Sequence, residues 1–349
     1  MNMNTYLLLF NGILLAVSSI AGPLLLRLYF IHGGKRIWLS SCLETAGFPV
    51  LIFPLWLSYF LRRRGFIKGD EDEKPKKLFT ITKPLFIASA VIGLVTGLDD
   101  YLYTYGVSLL PISTATIIMS THLAFTAGFA LVMVKQKFTS FSVNAVVLLT
   151  IGAILLGLHG NGDKPVNESK KDYYLGFLIT IAASVFNGLM LPMVELMYMK
   201  SKQTITYSLV IELQMVISGF ATLFCTIGMI ANNDFKVIPR EAREYGLGEI
   251  NYYIVLVAGA ITWQMYFVGT VGVIFCSTSL LAGVIAVVVL PLTEILSVVF
   301  YHESFQAEKG IALFLSLWGF ISYFWGELKA SKKAKKQKSE LEQDSSSSP

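Results

Sequence analysis

The chain has 349 residues, of which 54% are hydrophobic and 15% are charged, and its formal net charge is +5 at pH 7. Soluble domains carry about 25% charged residues, so a soluble fold with this chain's mean hydropathy of +0.62 would lack polar groups to cover its surface. The composition therefore excludes an ordinary soluble enzyme or binding domain and indicates an integral membrane protein.

Ten apolar segments of the sequence are candidates to cross a membrane, because a bilayer core needs about 20 apolar residues per helix. In chain order they are 6–30, 38–61, 84–110, 112–134, 141–158, 173–199, 205–230, 250–276, 278–301 and 308–326. The alternating pattern of a membrane β-barrel is absent, so the predicted fold is an all-α integral membrane protein with ten transmembrane helices. The first segment is predicted to be a retained helix, because its apolar run is too long for a signal peptide.

The distribution of lysine and arginine predicts the orientation, since cytoplasmic loops carry an excess of both. An even number of spans places both termini on one side, and that side has 18 Lys and Arg residues against 9 on the other. Both termini are therefore predicted to be cytoplasmic. The basic, serine-rich tail, 329–349, is predicted to be a disordered cytoplasmic segment and not a nucleic-acid patch, because no aromatic platform accompanies it.

Two similar segments predict an internal repeat. LPISTATIIMSTHLAFTAGFALVMVKQKF (110–138) and FCSTSLLAGVIAVVVLPLTEILSVVFYHESF (275–305) each open near a Ser-Thr pair, run through an apolar helix and end at a polar turn. They occupy spans four and nine, so the chain divides into five-helix repeats at 1–160 and 161–328. An odd number of helices inverts the second repeat, as in secondary transporters with a midplane substrate site. Chance similarity between apolar helices is the alternative.

Ionisable residues within the spans are candidate site residues, because such groups are costly in lipid unless they face a cavity or a partner. In the first half they are Glu44 in span two, Asp99 and Asp100 in span three, and His122 in span four. Two neighbouring carboxylates rarely ionise together in a poor dielectric, so the aspartate pair is predicted to bind a cation or a proton. The alternative is that one aspartate caps a helix end or pairs with Arg27. His122 is either a proton relay or substrate partner, or a structural bridge.

The second half contributes further polar candidates. They are Asn187 and Glu195 in span six, Glu212 and Gln214 in span seven, Gln264 in span eight and Glu294 in span nine. Glu195 and Glu294 each follow a proline, which bends a helix and frees a carbonyl, so both are expected beside a bend near the cavity. Bonding to a neighbouring helix is the alternative for Glu294. Glu212 and Gln214 point to nearly opposite faces, so at most one of them is expected to face the cavity.

Aromatic residues beside these polar groups predict a surface for planar ligands. Tyr103 lies about one helical turn beyond the aspartates and Trp263 adjoins Gln264, and rings so placed stack on heterocycles or hold cations. The residues predicted to bind substrate are Asp99, Asp100, Tyr103, His122, Trp263, Gln264, Glu44, Glu195 and Asn187. The residues predicted to couple protons are Asp99, Asp100 and Glu294. No metal site is predicted.

Several motifs are missing from the sequence. No Walker-type phosphate loop is present, which argues against direct ATP drive, and no HExxH, GxSxG or zinc spacing suggests an enzyme. No voltage-sensor helix or ion filter suggests a channel. The prediction is therefore a secondary transporter in the lipid bilayer that needs no cofactor beyond coupling protons. Its partner is a small-molecule substrate and not a nucleic acid, and its oligomeric state stays open.

Long stretches carry a family resemblance. They include GPLLLRLYFIHGGKRIWLSSCLETAGFPVLIFPL, GLDDYLYTYGVSLLPIST, LPMVEL, FKVIPREARE and FQAEKGIALFLSLWGFISYFWGE. These stretches resemble the plant purine permeases, a branch of the drug/metabolite transporter superfamily, over nearly the whole chain except the tail. The resemblance implies ten helices in two inverted repeats, a plasma-membrane location, and proton-coupled uptake of adenine, cytokinins, related purines or plant alkaloids.

The sequence departs from that family's pattern in the predicted site. The family usually has Asp-Asn where this chain has Asp99-Asp100, glutamine at His122, and a small or uncharged residue at Glu44, whereas Asp99 and Gln264 fit the pattern. Acids and an imidazole in place of neutral groups favour cationic ligands. The predicted function is proton-coupled import of small planar nitrogen heterocycles, with a pocket for cationic alkaloids of the benzylisoquinoline type as well as or instead of purines. The alternatives are an ordinary adenine or cytokinin permease and an uncoupled facilitator.

Overall fold

A computed structural model describes residues 3–63, 79–110, 112–136 and 170–301, with scattered positions between 140 and 151 and between 310 and 329. The regular structure of this described part is helical, without a strand. Its helices are α1 (Met3–Ile31), α2 (Ile37–Ala46), α3 (Ile52–Arg63), α4 (Lys83–Leu109), α5 (Ile112–Ser120), α6 (His122–Met133), α7 (Lys170–Lys200), α8 (Tyr207–Ala231), α9 (Asp234–Glu244), α10 (Glu249–Cys276), α11 (Ser279–Val288) and α12 (Leu290–Tyr301). The prediction of an all-α protein is confirmed.

Six segments of the described chain are long and apolar enough to cross a membrane. They are Thr5–Ile31, Ile37–Leu57, Lys83–Leu109, Lys171–Lys200, Tyr207–Ala231 and Glu249–Cys276. These segments coincide with predicted spans one, two, three, six, seven and eight. The total of ten stays a prediction, because spans 141–158 and 308–326 are described only at scattered positions. The repeat boundary at 160 and nearly all of the tail lie outside the described residues.

Predicted span two is interrupted where it was expected to be continuous. A short 3-10 helix, Phe48–Leu51, separates α2 from α3. Pro49 lacks a backbone N–H and disfavours a helical conformation in the residue before it, so the α-helix ends there. Gly47 allows close packing at this point, since a Cβ on it would clash with the Ala260 carbonyl oxygen of α10.

Spans four and nine are also interrupted, and the expectation of one continuous helix in each was wrong. The first interruption lies at Thr121, whose hydroxyl donates to the Ile118 carbonyl at 2.7 Å while its N–H donates to the same oxygen at 3.0 Å. Such side-chain bonds compete with helical backbone bonds. The second lies at Val289, because Pro291 has no N–H for the Val287 carbonyl, which accepts from the Val289 N–H instead.

The long helices pack as a bundle around a central space. α1 runs along α10, α4 lies between α7 and α8, and α6 packs against α7 and α11. Gly93 and Gly97 bring α4 close to α8, since a Cβ on Gly97 would lie only 3.0 Å from the Ala221 carbonyl oxygen. This close packing is the role expected of small residues four positions apart. Large apolar side chains such as Leu94, Ile227 and Ile261 are exposed on the outside of the bundle, where a membrane would cover them.

Helix α9 was not predicted, and it joins the two halves of the chain at one end of the bundle. Glu241 on α9 accepts hydrogen bonds from the hydroxyls of Tyr29 at 2.5 Å and Tyr252 at 3.1 Å. Arg36, in the α1–α2 connection, lies 3.6 Å from Glu241 and 3.5 Å from Asp234. These contacts, here called the α9 tie, hold the α1–α2 connection against α9.

A tyrosine at the edge of the α9 tie adds a further bond. Burial and the neighbouring Glu241 carboxylate raise the pKa of Tyr245 to about 12, so its hydroxyl stays protonated at physiological pH. It donates to the Leu28 carbonyl of α1 at 3.2 Å. The end of α1 is therefore fixed to the chain that follows α9.

A second set of contacts joins the halves through Glu212 of α8. The carboxylate of Glu212 accepts from the backbone N–H groups of Thr80 at 2.7 Å and Ile81 at 3.1 Å, and from the Thr80 hydroxyl at 3.1 Å. This set, here called the Glu212 tie, fixes the chain that leads into α4. Gln214 bonds instead to Ser218 on its own helix at 2.8 Å, and neither Glu212 nor Gln214 lines the central cavity.

Candidate functional site

A cavity lies between α1, α2, α4, α7 and α10, next to the interrupted helices. Its free space, counted together with the open solvent at its mouth, is about 640 Å³. The polar and aromatic side chains on its wall include Glu44, Asp99, Asp100, Tyr103, His122, Asn187, Trp263, Tyr266 and Phe267. Seven of the nine residues predicted to bind substrate therefore share this cavity.

Asp99 is held by an amide from the neighbouring helix. Asn187 of α7 donates its Nδ2 hydrogen to Asp99 Oδ2 at 3.1 Å, and both side chains are buried. Because a carboxylate only accepts hydrogen bonds, this bond fixes the orientation of the Asn187 amide: its Nδ2 faces Asp99, and its Oδ1 stays an acceptor. No described cation forms an ion pair with Asp99 or Asp100, so the alternative of pairing with Arg27 is not observed.

Glu44 and Asp100 line the same cavity. Glu44 on α2 and Asp100 on α4 are each only 2% exposed. Thr104, one helical turn after Asp100, donates its hydroxyl to Glu44 Oε1 at 2.5 Å. Asp100 Oδ2 has no hydrogen-bond partner within the described part of the chain. Two buried carboxylates thus face the cavity with a neutral hydroxyl as the donor to one of them.

His122 begins α6, directly after the interruption at Thr121. Its Nδ1 lies 2.8 Å from the Met119 carbonyl oxygen, and since a carbonyl only accepts, Nδ1 carries the hydrogen and Nε2 is the acceptor of the neutral ring. Gly188 lets α7 approach, because a Cβ there would lie 2.9 Å from the His122 carbonyl oxygen. His122 therefore forms a structural bridge through one nitrogen and presents the other on the cavity wall.

The aromatic wall is built from edge-to-face contacts. The ring of Trp263 lies 5.6 Å from that of Tyr103 and 5.5 Å from that of Tyr266, at interplanar angles of 75° and 77°. Gly22 of α1 makes room for the indole, since a Cβ there would approach the ring to 3.0 Å. The packing holds Trp263 on the cavity wall, where an aromatic ring suits a planar ligand.

Two predicted residues, Glu195 and Gln264, are described but do not line the cavity, and the side chain of a third, Glu294, lies outside the described residues. Glu195 Oε2 accepts from the Ser279 N–H at 2.7 Å, so Glu195 caps the first turn of α11, whose free N–H groups attract a carboxylate. Gln264 is buried beside Gly47, and its amide atoms have no partner among the described residues. Glu294 belongs to α12. The predicted roles of these three residues stay untested.

The buried polar atoms without a partner on this wall are of one kind. Among the described residues they are Asp99 Oδ1, Asp100 Oδ2, Asn187 Oδ1 and His122 Nε2. Each one is a hydrogen-bond acceptor when the acids are ionised and the imidazole is neutral. Buried polar groups need partners, so the wall is suited to a ligand that brings N–H donors or a positive charge.

Sequence reasoning did not select some residues of the cavity. Ser19, Pro23, Met119, Tyr266, Phe267 and Ala286 also lie on the wall. Tyr266 was detectable, because it follows Trp263 by three positions and so shares its helix face. Ser19 and Ala286 carry no such signal, since small residues on apolar helices are common in packing contacts.

Comparison with known proteins gives consistent matches over nearly the whole chain. The family profile described as purine nucleobase transmembrane transport matches residues 6–333. The chain is 50% identical to Purine permease 3 of Arabidopsis thaliana over 342 residues, which cover 98% of this chain and 96% of that protein. It is 49% identical to Purine permease 2 of the same plant over 98% of each chain. It is 34% identical to Probable purine permease 4, over 89% of this chain and 79% of that protein.

Proposed function

Since this chain belongs to the purine nucleobase transmembrane transport family, we propose that it imports small planar nitrogen heterocycles, and that its cavity accepts protonated plant alkaloids as well as purines. The family consists of membrane transporters, so the chain is a multi-pass transporter and not an enzyme. The proposed setting is the plasma membrane, with both termini in the cytoplasm.

The observation that carries the proposal is the set of acceptors on the cavity wall. Asp99, Asp100, Asn187 and His122 each present an acceptor atom, buried and without a partner among the described residues. A protonated amine would donate to an ionised carboxylate, and charge-assisted hydrogen bonds are about twice as strong as neutral ones. The heterocycle would lie against Trp263, where a ring face attracts cations as well as planar systems.

An ordinary purine permease is the second candidate, and the relatives favour it. The names of the two most similar relatives given above describe purine permeases, at 50% and 49% identity. Adenine carries N–H donors, so it also suits an acceptor-rich wall. The two candidates therefore differ in whether a positive charge on the ligand strengthens binding.

The proposed transport cycle alternates the access of the cavity between the two membrane faces. Two inverted five-helix repeats, 1–160 and 161–328, would rock against each other around the site. The packing supports this arrangement. The first helix of repeat one, α1, packs along the third helix of repeat two, α10, and the first helix of repeat two, α7, packs in the same way along the third helix of repeat one, α4. In this scheme the α9 tie and the Glu212 tie open in turn, since each joins the first half to the second.

Proton coupling is part of the proposal, and it separates this transporter from an uncoupled facilitator. Purified chain in proteoliposomes, with an acidic exterior and a neutral interior, is expected to accumulate labelled adenine above its external concentration. A protonophore should abolish the accumulation while leaving equilibration intact. Equilibration without accumulation, unaffected by the protonophore, would contradict coupling and identify a facilitator.

A further inference from the structure

Helix α4 presents its two adjacent aspartates to different surroundings. Neighbouring residues on an α-helix diverge by about 100°, whereas residues four apart share a face. Asp99 therefore shares its face with Tyr103, whose ring contacts Trp263. Asp100 shares its face with Thr104, whose hydroxyl bonds Glu44 of α2. Asp99 therefore lies beside the Asn187 amide and the aromatic wall, whereas Asp100 lies one helical turn from the hydroxyl that bonds Glu44. Glu44 is also an electrostatic neighbour of Asp99.

Glu44 and Asp100 lack a counter-charge among the described residues. Both side chains are 2% exposed and both line the cavity. The donor to Glu44 is the neutral Thr104 hydroxyl, and Asp100 Oδ2 has no partner in the part of the chain that is described. Two carboxylates close together in a low dielectric repel strongly when both are ionised. A single proton shared by the pair relieves that repulsion.

The other groups around Asp100 do not supply a positive charge. The titratable groups that face it are Glu44 and Cys42 on α2, Cys225 on α8, Tyr266 on α10 and Asp99 on its own helix. Cys225 donates its Sγ hydrogen to the Gly97 carbonyl at 3.6 Å. On α7, Asn187 is neutral and bonds Asp99. A proton that enters this side of the cavity therefore meets carboxylates, thiols and a phenol. Among the three carboxylates, Asp99 already accepts a hydrogen bond from the Asn187 amide, so the Glu44–Asp100 pair is the site that no amide stabilises.

We propose that the two aspartates have separate roles in coupled transport, here called the division of roles. Glu44 and Asp100 together form the proton-binding site, and Asp99, positioned by Asn187, binds the substrate. The proton comes from the external medium, forms an O–H bond on one carboxylate of the pair, and leaves to the interior when that bond breaks. A cation and a proton on one carboxylate would displace each other, whereas separate sites let both travel in the same direction.

The division of roles rests on the proposed function, and two transport modes test it. Proteoliposomes would be assayed for accumulation driven by a pH gradient, and for counterflow, the exchange of labelled for unlabelled adenine without a gradient. In Asp100→Asn and in Glu44→Gln, we expect the fold-decrease in accumulation to be at least ten times the fold-decrease in counterflow. Glu44→Gln keeps an acceptor for Thr104, which limits structural damage. Asp99→Asn is expected to lose both modes in parallel, and the exposed Asp172→Asn is the matched control that retains both.

The possible outcomes distinguish failure of the division of roles from failure of the proposed function. Parallel loss of both modes in Asp100→Asn and in Glu44→Gln would overturn the division of roles, because these acids would then hold substrate. Accumulation at the wild-type level in both variants would overturn it as well. If the unmodified chain exchanged adenine but never accumulated it, coupling itself would fail and the division of roles with it. If it did neither, the proposed transport of adenine would be wrong.

Discussion

Asp99→Asn is expected to raise the half-saturation concentration for a protonated alkaloid by about 10- to 150-fold. The substitution keeps the shape of the side chain and an oxygen that accepts from Asn187, but it removes the charge. A hydrogen bond to a charged group contributes about 1.5–3 kcal/mol, and each 1.4 kcal/mol corresponds to about tenfold in affinity. The measurement is initial uptake as a function of alkaloid concentration, normalised to the amount of chain at the cell surface.

A matched substitution distinguishes loss of binding from general damage. Asp172→Asn makes the same chemical change at an exposed position at the start of α7, and it should leave the half-saturation concentration unchanged. A neutral purine should lose less affinity than the alkaloid in Asp99→Asn. Equal losses for the neutral and the charged ligand would contradict a role for the Asp99 charge.

Trp263→Ala is expected to raise the half-saturation concentration by about 5- to 30-fold for both classes of ligand. A desolvated cation–π contact contributes about 1–2 kcal/mol, which corresponds to that range, and stacking on a planar neutral ring is lost as well. Trp263→Phe keeps a ring of smaller area and should give an intermediate value. The measurement is the concentration dependence of uptake for one alkaloid and one purine.

The control for Trp263 is a tryptophan outside the cavity. Trp56 is 53% exposed and stacks only on Phe60 in the described part of the chain, so Trp56→Ala should leave the half-saturation concentration unchanged. Thermal unfolding of each purified variant shows whether it is folded. If Trp263→Ala lowers the maximal rate without changing half-saturation, the ring does not bind the ligand.

Much of the fold and of the cavity wall followed from simple energetics. Apolar runs near 20 residues have few alternatives to a membrane helix, so the long helices were predictable. Acids such as Asp99, Asp100 and Glu44 were also predictable as residues of a shared cavity, because lipid makes an unpartnered charge costly. The side chain of Asn187 was selected on the same ground and meets Asp99 directly.

Other features depend on contacts between distant segments, which one sequence does not contain. Glu195 looked like a cavity residue because it follows Pro192, but the first turn of α11 provides the donor that it accepts. The interruption at Thr121 depends on which of two competing hydrogen bonds its hydroxyl makes. Helix α9 was missed because its buried charged residues, Asp234 and Glu241, are acids whose partner, Arg36, lies in the distant α1–α2 connection.

The most direct test of the account is competition for uptake at acidic external pH. Cells that express the chain would take up labelled adenine in the presence of protonated benzylisoquinoline alkaloids or neutral purines. An acceptor-lined cavity with an aromatic wall predicts that the protonated alkaloids inhibit at concentrations equal to or below those of the purines. Strong inhibition by purines together with no inhibition by alkaloids would contradict the account, and the chain would then be an ordinary purine permease.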